Sequence, residues 1–213
     1  MVSIDISEVR NEAIKLRPSV SVRIARSFFD MRKTTLELLA ERPSEARLLL
    51  FVLLSDMIFI LSWGLKTLIS PTASAAQSMG ADIALWLIVA MMLRTTAIYA
   101  MALVVGMITK LFGGQASLKD TRTGVFWGVF VAAPIGLLIS ELAVLINAFE
   151  GSFPILSAES IQMMPYWLGL VPFVWFVAKG AAAANRIENA VPIFGVISAI
   201  AVALAVAVKY LAI

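Results

Sequence analysis

The chain has 213 residues, 61% of them hydrophobic, with a mean hydropathy of +0.93 and a net charge of +3. Soluble domains sit near half apolar, and here the excess is gathered into long runs, so a soluble domain is excluded and a membrane protein is indicated. With no cysteine and no histidine, disulfides, thiolate chemistry, zinc sites and a histidine-based triad are excluded too, and no metal or cofactor is expected.

Residues 1–46 form a charged arm. Nine of the seventeen Lys and Arg lie before residue 48, mixed with seven acids, so the arm is nearly neutral. No net basic face is left to track phosphates, and nucleic-acid binding is not expected. The first 45 residues also lack the apolar core of a signal peptide. A short helix is predicted over 8–16 with Ser7 as its cap. A longer one is predicted over 18–41, opened by Pro18 and closed near Arg42-Pro43. In it Ile24, Phe28, Met31 and Leu38 follow i, i+4, i+7, i+14 spacing, with Thr35 in the gap and Arg23, Arg26 and Lys33 off the stripe. The pattern predicts an amphipathic helix on the membrane surface. The alternative is a stripe packed on the protein's own loops.

Residues 47–213 carry five apolar runs: 48–69, 83–112, 123–149, 164–178 and 191–213. A helical crossing of the roughly 30 Å hydrocarbon core takes about 20 residues. In lipid each run must be helical, because a helix satisfies its own backbone polar groups. The fold class is therefore all-α: a transmembrane bundle of about five spans behind a helical arm. Residues 70–82 and 150–163 hold no Lys or Arg, whereas 110–122 hold three and 179–189 hold two. With the arm, fourteen of seventeen basic residues fall on one side. The positive-inside rule then predicts a multi-pass protein with its N-terminus cytoplasmic and its C-terminus outside. Trp63, Trp86 and Trp167 fall near predicted interfaces, and Lys66 and Lys209 are placed to snorkel to the far surface.

Arg94 lies inside the second run, where a central arginine costs about 2.5–3.5 kcal/mol and needs a partner. Two intramembrane acids are available, Asp56 in the first run and Glu141 in the third. Counting from each run's own arm-side end, Arg94 and Glu141 both sit about 27 Å up and Asp56 about 12 Å. Matched height predicts a structural ion pair of Arg94 with Glu141, leaving Asp56 to nearby hydroxyls or protonated. A second possibility makes residues 82–93 interfacial, so that the span begins at Thr95. Gly124 and Gly128 are spaced for close helix packing. Ala199, Ala203 and Ala207 make a similar smooth face, and Pro134 and Pro172 predict kinks. Gly113-Gly114 lacks the GK[ST] of a phosphate cradle. Gly113 is expected to end the second helix in a left-handed cap, with Asp120 capping the third.

A charged arm with "ERPSEARLLLFVLL" leading into the first span, then "ALVVGMITKLFGGQASLKDTRTGVFWGVFVAAPIGLL", resembles the bacterial branch of the Yip (Ypt-interacting protein) family of five-span membrane proteins. The resemblance covers about residues 43–185 and is best over 102–138. It implies a non-catalytic integral membrane protein of a bacterial inner membrane. The Asp-Leu-Tyr-Gly-Pro and Gly-Tyr motifs of the eukaryotic GTPase-binding relatives do not occur here, so that role does not carry over. The resulting expectation is an adaptor, scaffold or accessory subunit. Its partners are the lipid bilayer and, beyond it, other membrane proteins or a second copy of the chain. The alternative is a small transporter or channel using Asp56, Arg94 and Glu141. An intramembrane enzyme has only Ser-Lys or carboxylate chemistry left to it.

Overall fold

The computed structural model describes residues 19–69 and 80–211. The helix predicted over 8–16, Pro18 and most of the loop 70–82 lie outside the described residues. All regular structure among those described is helical: α1 (Val20–Phe29), α2 (Met31–Ala40), α3 (Glu45–Ile69), α4 (Gly80–Leu111), α5 (Leu118–Phe149), a 3-10 turn (Pro154–Ser157), α6 (Glu159–Ala184) and α7 (Val191–Leu211). Four of them, α3 to α6, are long and apolar enough to cross a membrane. α7 adds a shorter apolar stretch, Val191–Ala207. The chain thus has the architecture of a multi-pass integral membrane protein. Its outward side chains fit that setting: Met57, Leu85, Trp86, Leu103 and Leu138 are all well exposed.

The arm is two helices, not one. Asp30 breaks the predicted 18–41 helix with φ −139° and ψ 79°, and its carboxylate accepts the Lys33 N–H at 2.9 Å, capping α2. The stripe does not lie on lipid as expected. Met31 and Leu38 are buried in the protein core, and Ile24 packs against that core. Phe28 meets Phe176 of α6 edge-to-face, 5.4 Å between ring centroids. Arg23, placed off the stripe by periodicity, is buried. Periodicity finds the buried side of a helix but does not say what buries it.

The turn from arm to bundle is tightly specified. Glu41 ends α2, Arg42 follows with φ 49°, Pro43 cannot continue a helix, and Ser44 caps α3 through the Arg47 N–H at 3.3 Å. At the α4–α5 turn Gly113 has φ +80° and its N–H bonds the Lys110 carbonyl, while the Gly114 N–H bonds that of Thr109. That is a Schellman ending, with glycine where a left-handed residue is needed. The cap of α5 is Ser117, not Asp120. Its Oγ accepts the Asp120 N–H at 3.1 Å and donates to the Asp120 carboxylate at 2.7 Å. Two spans outrun the apolar segments that marked them, since α5 starts at Leu118 and α6 covers Glu159–Ala184. Apolarity marks the stretch in lipid, whereas the helix continues into its charged flanks.

The core is concentrated at the end of the bundle that carries the arm. There Leu48 and Val52 of α3, Val105 of α4, Val125 to Trp127 of α5 and Val177 of α6 are buried together. In α5 burial is nearly continuous from Thr121 to Ala132, and beyond that only Val144 is buried. Glycine brings α5 and α6 together. A Cβ on Gly124 would strike the carbonyl of Gly180, one on Gly180 the carbonyl of Gly124, and one on Gly128 would lie 2.6 Å from the Phe176 carbonyl oxygen. The helices are therefore tight at the arm end and open toward the other.

Candidate functional site

Where the bundle begins to open, α3 and α4 bring a charged cluster together. Ser55, Asp56 and Phe59 come from one face of α3, Arg94 and Thr95 from α4. Arg94 forms its ion pair with Asp56, through Nη1 and Oδ1. The Thr95 hydroxyl donates to the other carboxylate oxygen at 2.6 Å. Arg94 Nη1 also donates to Ser55 Oγ at 3.2 Å, and the guanidinium lies 5.0 Å from the centre of the Phe59 ring. Asp56 is fully buried, while Arg94 keeps about a quarter of its side chain accessible.

The expected pair of Arg94 with Glu141 is thus replaced by Arg94 with Asp56. The error lay in the baseline for depth. Tyr99 of α4 meets Phe126 of α5, and Phe51 of α3 meets Trp127, so these residues share one level. Arg94 and Asp56 each lie five residues beyond that level, about 7 Å, whereas Glu141 lies fifteen residues beyond Phe126, about 22 Å. Glu141 stands apart: its Oε1 is buried and accepts no hydrogen bond among the described residues. The reading that starts the span at Thr95 put Arg94 among headgroups, whereas Arg94 faces protein and α4 runs unbroken from Gly80 to Leu111.

Beside the pair, on the side away from the arm, lies a cavity of about 400 Å³ between α3, α5 and α6. Arg94 and Ser55 border it at one end and Lys66 at the other. Ser62 and Ser140 share a hydrogen bond across it. Small residues and prolines make the space, among them Ala133, Gly136, Gly169 and Pro165. A Cβ on Gly136 would meet no atom within 4 Å. Periodicity gave no sign of this cavity. The available signal was the run of small residues around Pro134 in the third span, whose counterpart on α6 only the fold reveals.

A second cluster latches the arm. Glu41 pairs with Arg23 of α1 through one oxygen and with Arg47 of α3 at 2.6 Å through the other. Burial alone would push its carboxyl up, but the hydrogen bonds and charges of the two arginines outweigh that and hold it below the usual value. Ser27 Oγ and Thr34 Oγ1, 2.8 Å apart, tie α1 to α2. The Trp127 indole reaches Thr34 Oγ1 at 3.5 Å. Arg32 donates to the Ile187 carbonyl beyond α6. The face left outside carries Val22, Arg26 and Phe29 on α1 and Lys33 and Leu36 on α2, with Phe29 92% exposed.

Comparison with protein families, with curated proteins and with solved structures finds no match to this chain.

Proposed function

We propose that the chain is a non-catalytic integral membrane protein, an adaptor or accessory subunit of a membrane assembly. Its resemblance to the Yip family points the same way. Its setting in this reading is a bacterial inner membrane, with the arm in the cytoplasm. The observation that carries the reading is the outer face of the docked arm. Phe29 is almost wholly exposed between Arg26 and Lys33, with Val22 and Leu36 beside it, on helices fixed from behind by the Glu41 latch. A rigid aromatic anchor among cations is the kind of feature that dominates binding energy at interfaces. The test is a photo-reactive amino acid at Phe29, activated in intact membranes. A discrete cross-linked protein, abolished by Arg26→Glu with Lys33→Glu, supports an adaptor. Cross-links to lipid alone at Phe29 would reject it.

One observation favours a transport reading: the cavity reaches Arg94, with Asp56 directly behind it. Intramembrane charges beside a cavity mark ion or substrate paths in other membrane proteins. Glu141 does not line that cavity, so this reading rests on Asp56 and Arg94 alone. A solute or proton flux in proteoliposomes that Asp56→Asn abolishes would support it over the adaptor.

A further inference from the structure

We propose that the cavity between α3, α5 and α6 is a binding site for one anionic phospholipid from the leaflet opposite the arm, with its phosphate at Lys66 and one acyl chain in the cavity. This goes beyond the adaptor reading and does not depend on it.

Three observations argue for that occupant. The first is charge. Among the described residues two cations, Lys66 and Arg94, line the cavity and no acid does, while the rest of that lining is apolar apart from three serine hydroxyls. Arg94 is already held by Asp56, Ser55 and the Phe59 ring. Lys66 has no ion-pair partner among the described residues, so it is the charge left for an incoming anion. The second is length. Eleven residues of helix separate Ser55 from Lys66, about 16 Å. That matches one leaflet's share of a hydrocarbon core about 30 Å thick. A chain entering at Lys66 therefore ends at the level of the Arg94–Asp56 pair. The third is shape. Gly136 leaves open space where a side chain would stand, and Ala133 and Gly169 keep the wall low around it. The volume, about 400 Å³, lies within the range of sites that enclose small ligands. Trp63 and Trp167, both exposed on the same half of the bundle, stand where aromatic residues meet headgroups.

The experiment is native mass spectrometry of the full chain in detergent, titrated with palmitoyl-oleoyl phosphatidylglycerol or with the matching phosphatidylcholine. The expected result is a single phosphatidylglycerol adduct preferred about fivefold over phosphatidylcholine, which is what about 1 kcal/mol per basic residue at an anionic surface gives. Lys66→Gln should remove the preference and Lys66→Arg should keep it. Gly136→Phe should remove the adduct by filling the space. Ala133→Leu, a smaller intrusion on the same wall, should weaken it, and this keeps the test valid if the phenylalanine variant does not fold. Equal retention of the two lipids by the unaltered protein would overturn the proposal. So would an adduct that survives in Ala133→Leu at full strength, or a preference unchanged in Lys66→Gln.

Discussion

Taking a carboxylate and a guanidinium out of water is costly, and the Asp56–Arg94 pair recovers that cost only because the two charges meet with Ser55 and Thr95 around them. Removing one partner leaves the other buried and unpaired, typically a loss of about 3–5 kcal/mol, whereas replacing both with apolar residues is often near neutral. Arg94→Leu and Asp56→Leu should each lower the melting temperature in a single detergent, and the double variant should recover most of the loss. Glu141→Leu should be neutral or stabilising, and its effect should add to that of Arg94→Leu. A recovery with Glu141 in place of Asp56 would return the pair to the one matched height predicted. That an intramembrane arginine needs an acid was legible in the sequence. Which acid was not, because the level of each helix against its neighbours, set by contacts such as Tyr99 with Phe126 and Phe51 with Trp127, is a tertiary fact. Glu41 gives a pH signature. Its folded-state carboxyl is held below the ordinary value of 4.5 by Arg23 and Arg47. The latch therefore contributes its full stability above about pH 4.5 and loses it as pH falls through the lower folded value. Proteolysis within the arm should accelerate on acidification below that point, and Glu41→Gln should show the faster rate at neutral pH.

Contact between α5 and α6 is set by backbone, not by side chains. Gly124 and Gly180 face each other so closely that either Cβ would collide with the opposite carbonyl. Overpacking a tight contact costs about 1–3 kcal/mol, and here the obstruction is a backbone that cannot rotate aside, so Gly124→Val belongs at or above the top of that range. Gly136→Ala, in the same helix but facing open space, should instead be neutral or gain up to about 1 kcal/mol from helix propensity. Thermal melts of the two variants would separate these outcomes, and equal losses would show that the tight crossing is not real. The spacing of Gly124 and Gly128 was visible in the sequence. Their partners Gly180 and Phe176, some fifty residues on, were not, since a small residue announces a close approach without naming what approaches. The arm shows the same boundary. The stripe of Ile24, Phe28, Met31 and Leu38 was legible, but the Asp30 cap that divides it and the protein surface that covers Met31 and Leu38 belong to the fold.

Across the whole molecule the arm end is packed and latched, while the other end is looser and holds the cavity. That polarity coincides with charge. Lys110, Lys119, Arg122 and Lys179 lie at the arm end of their helices, Arg186 lies in the turn that follows α6, and Arg26, Arg32, Lys33 and Arg47 stand on or beside the docked arm. Exposed Trp63, Trp86 and Trp167 mark the opposite end. Charge asymmetry of this kind orients membrane helices with the basic side in the cytoplasm. A reporter active only in the cytoplasm should therefore be active when fused after Gly114, in the turn between α4 and α5, and silent after Gly151, between α5 and the 3-10 turn. Docking sharpens the expectation. Because Met31 and Leu38 are buried against the bundle and Glu41 bridges to Arg47, the arm must share the compartment of the α4–α5 turn. A fusion ahead of Ser19 should report the same side as one after Gly114. Activity after Gly151 with silence after Gly114 would invert the orientation and move the Phe29 face away from any cytoplasmic partner. Agreement of the Gly114 and Gly151 fusions with each other would mean that α5 does not cross at all.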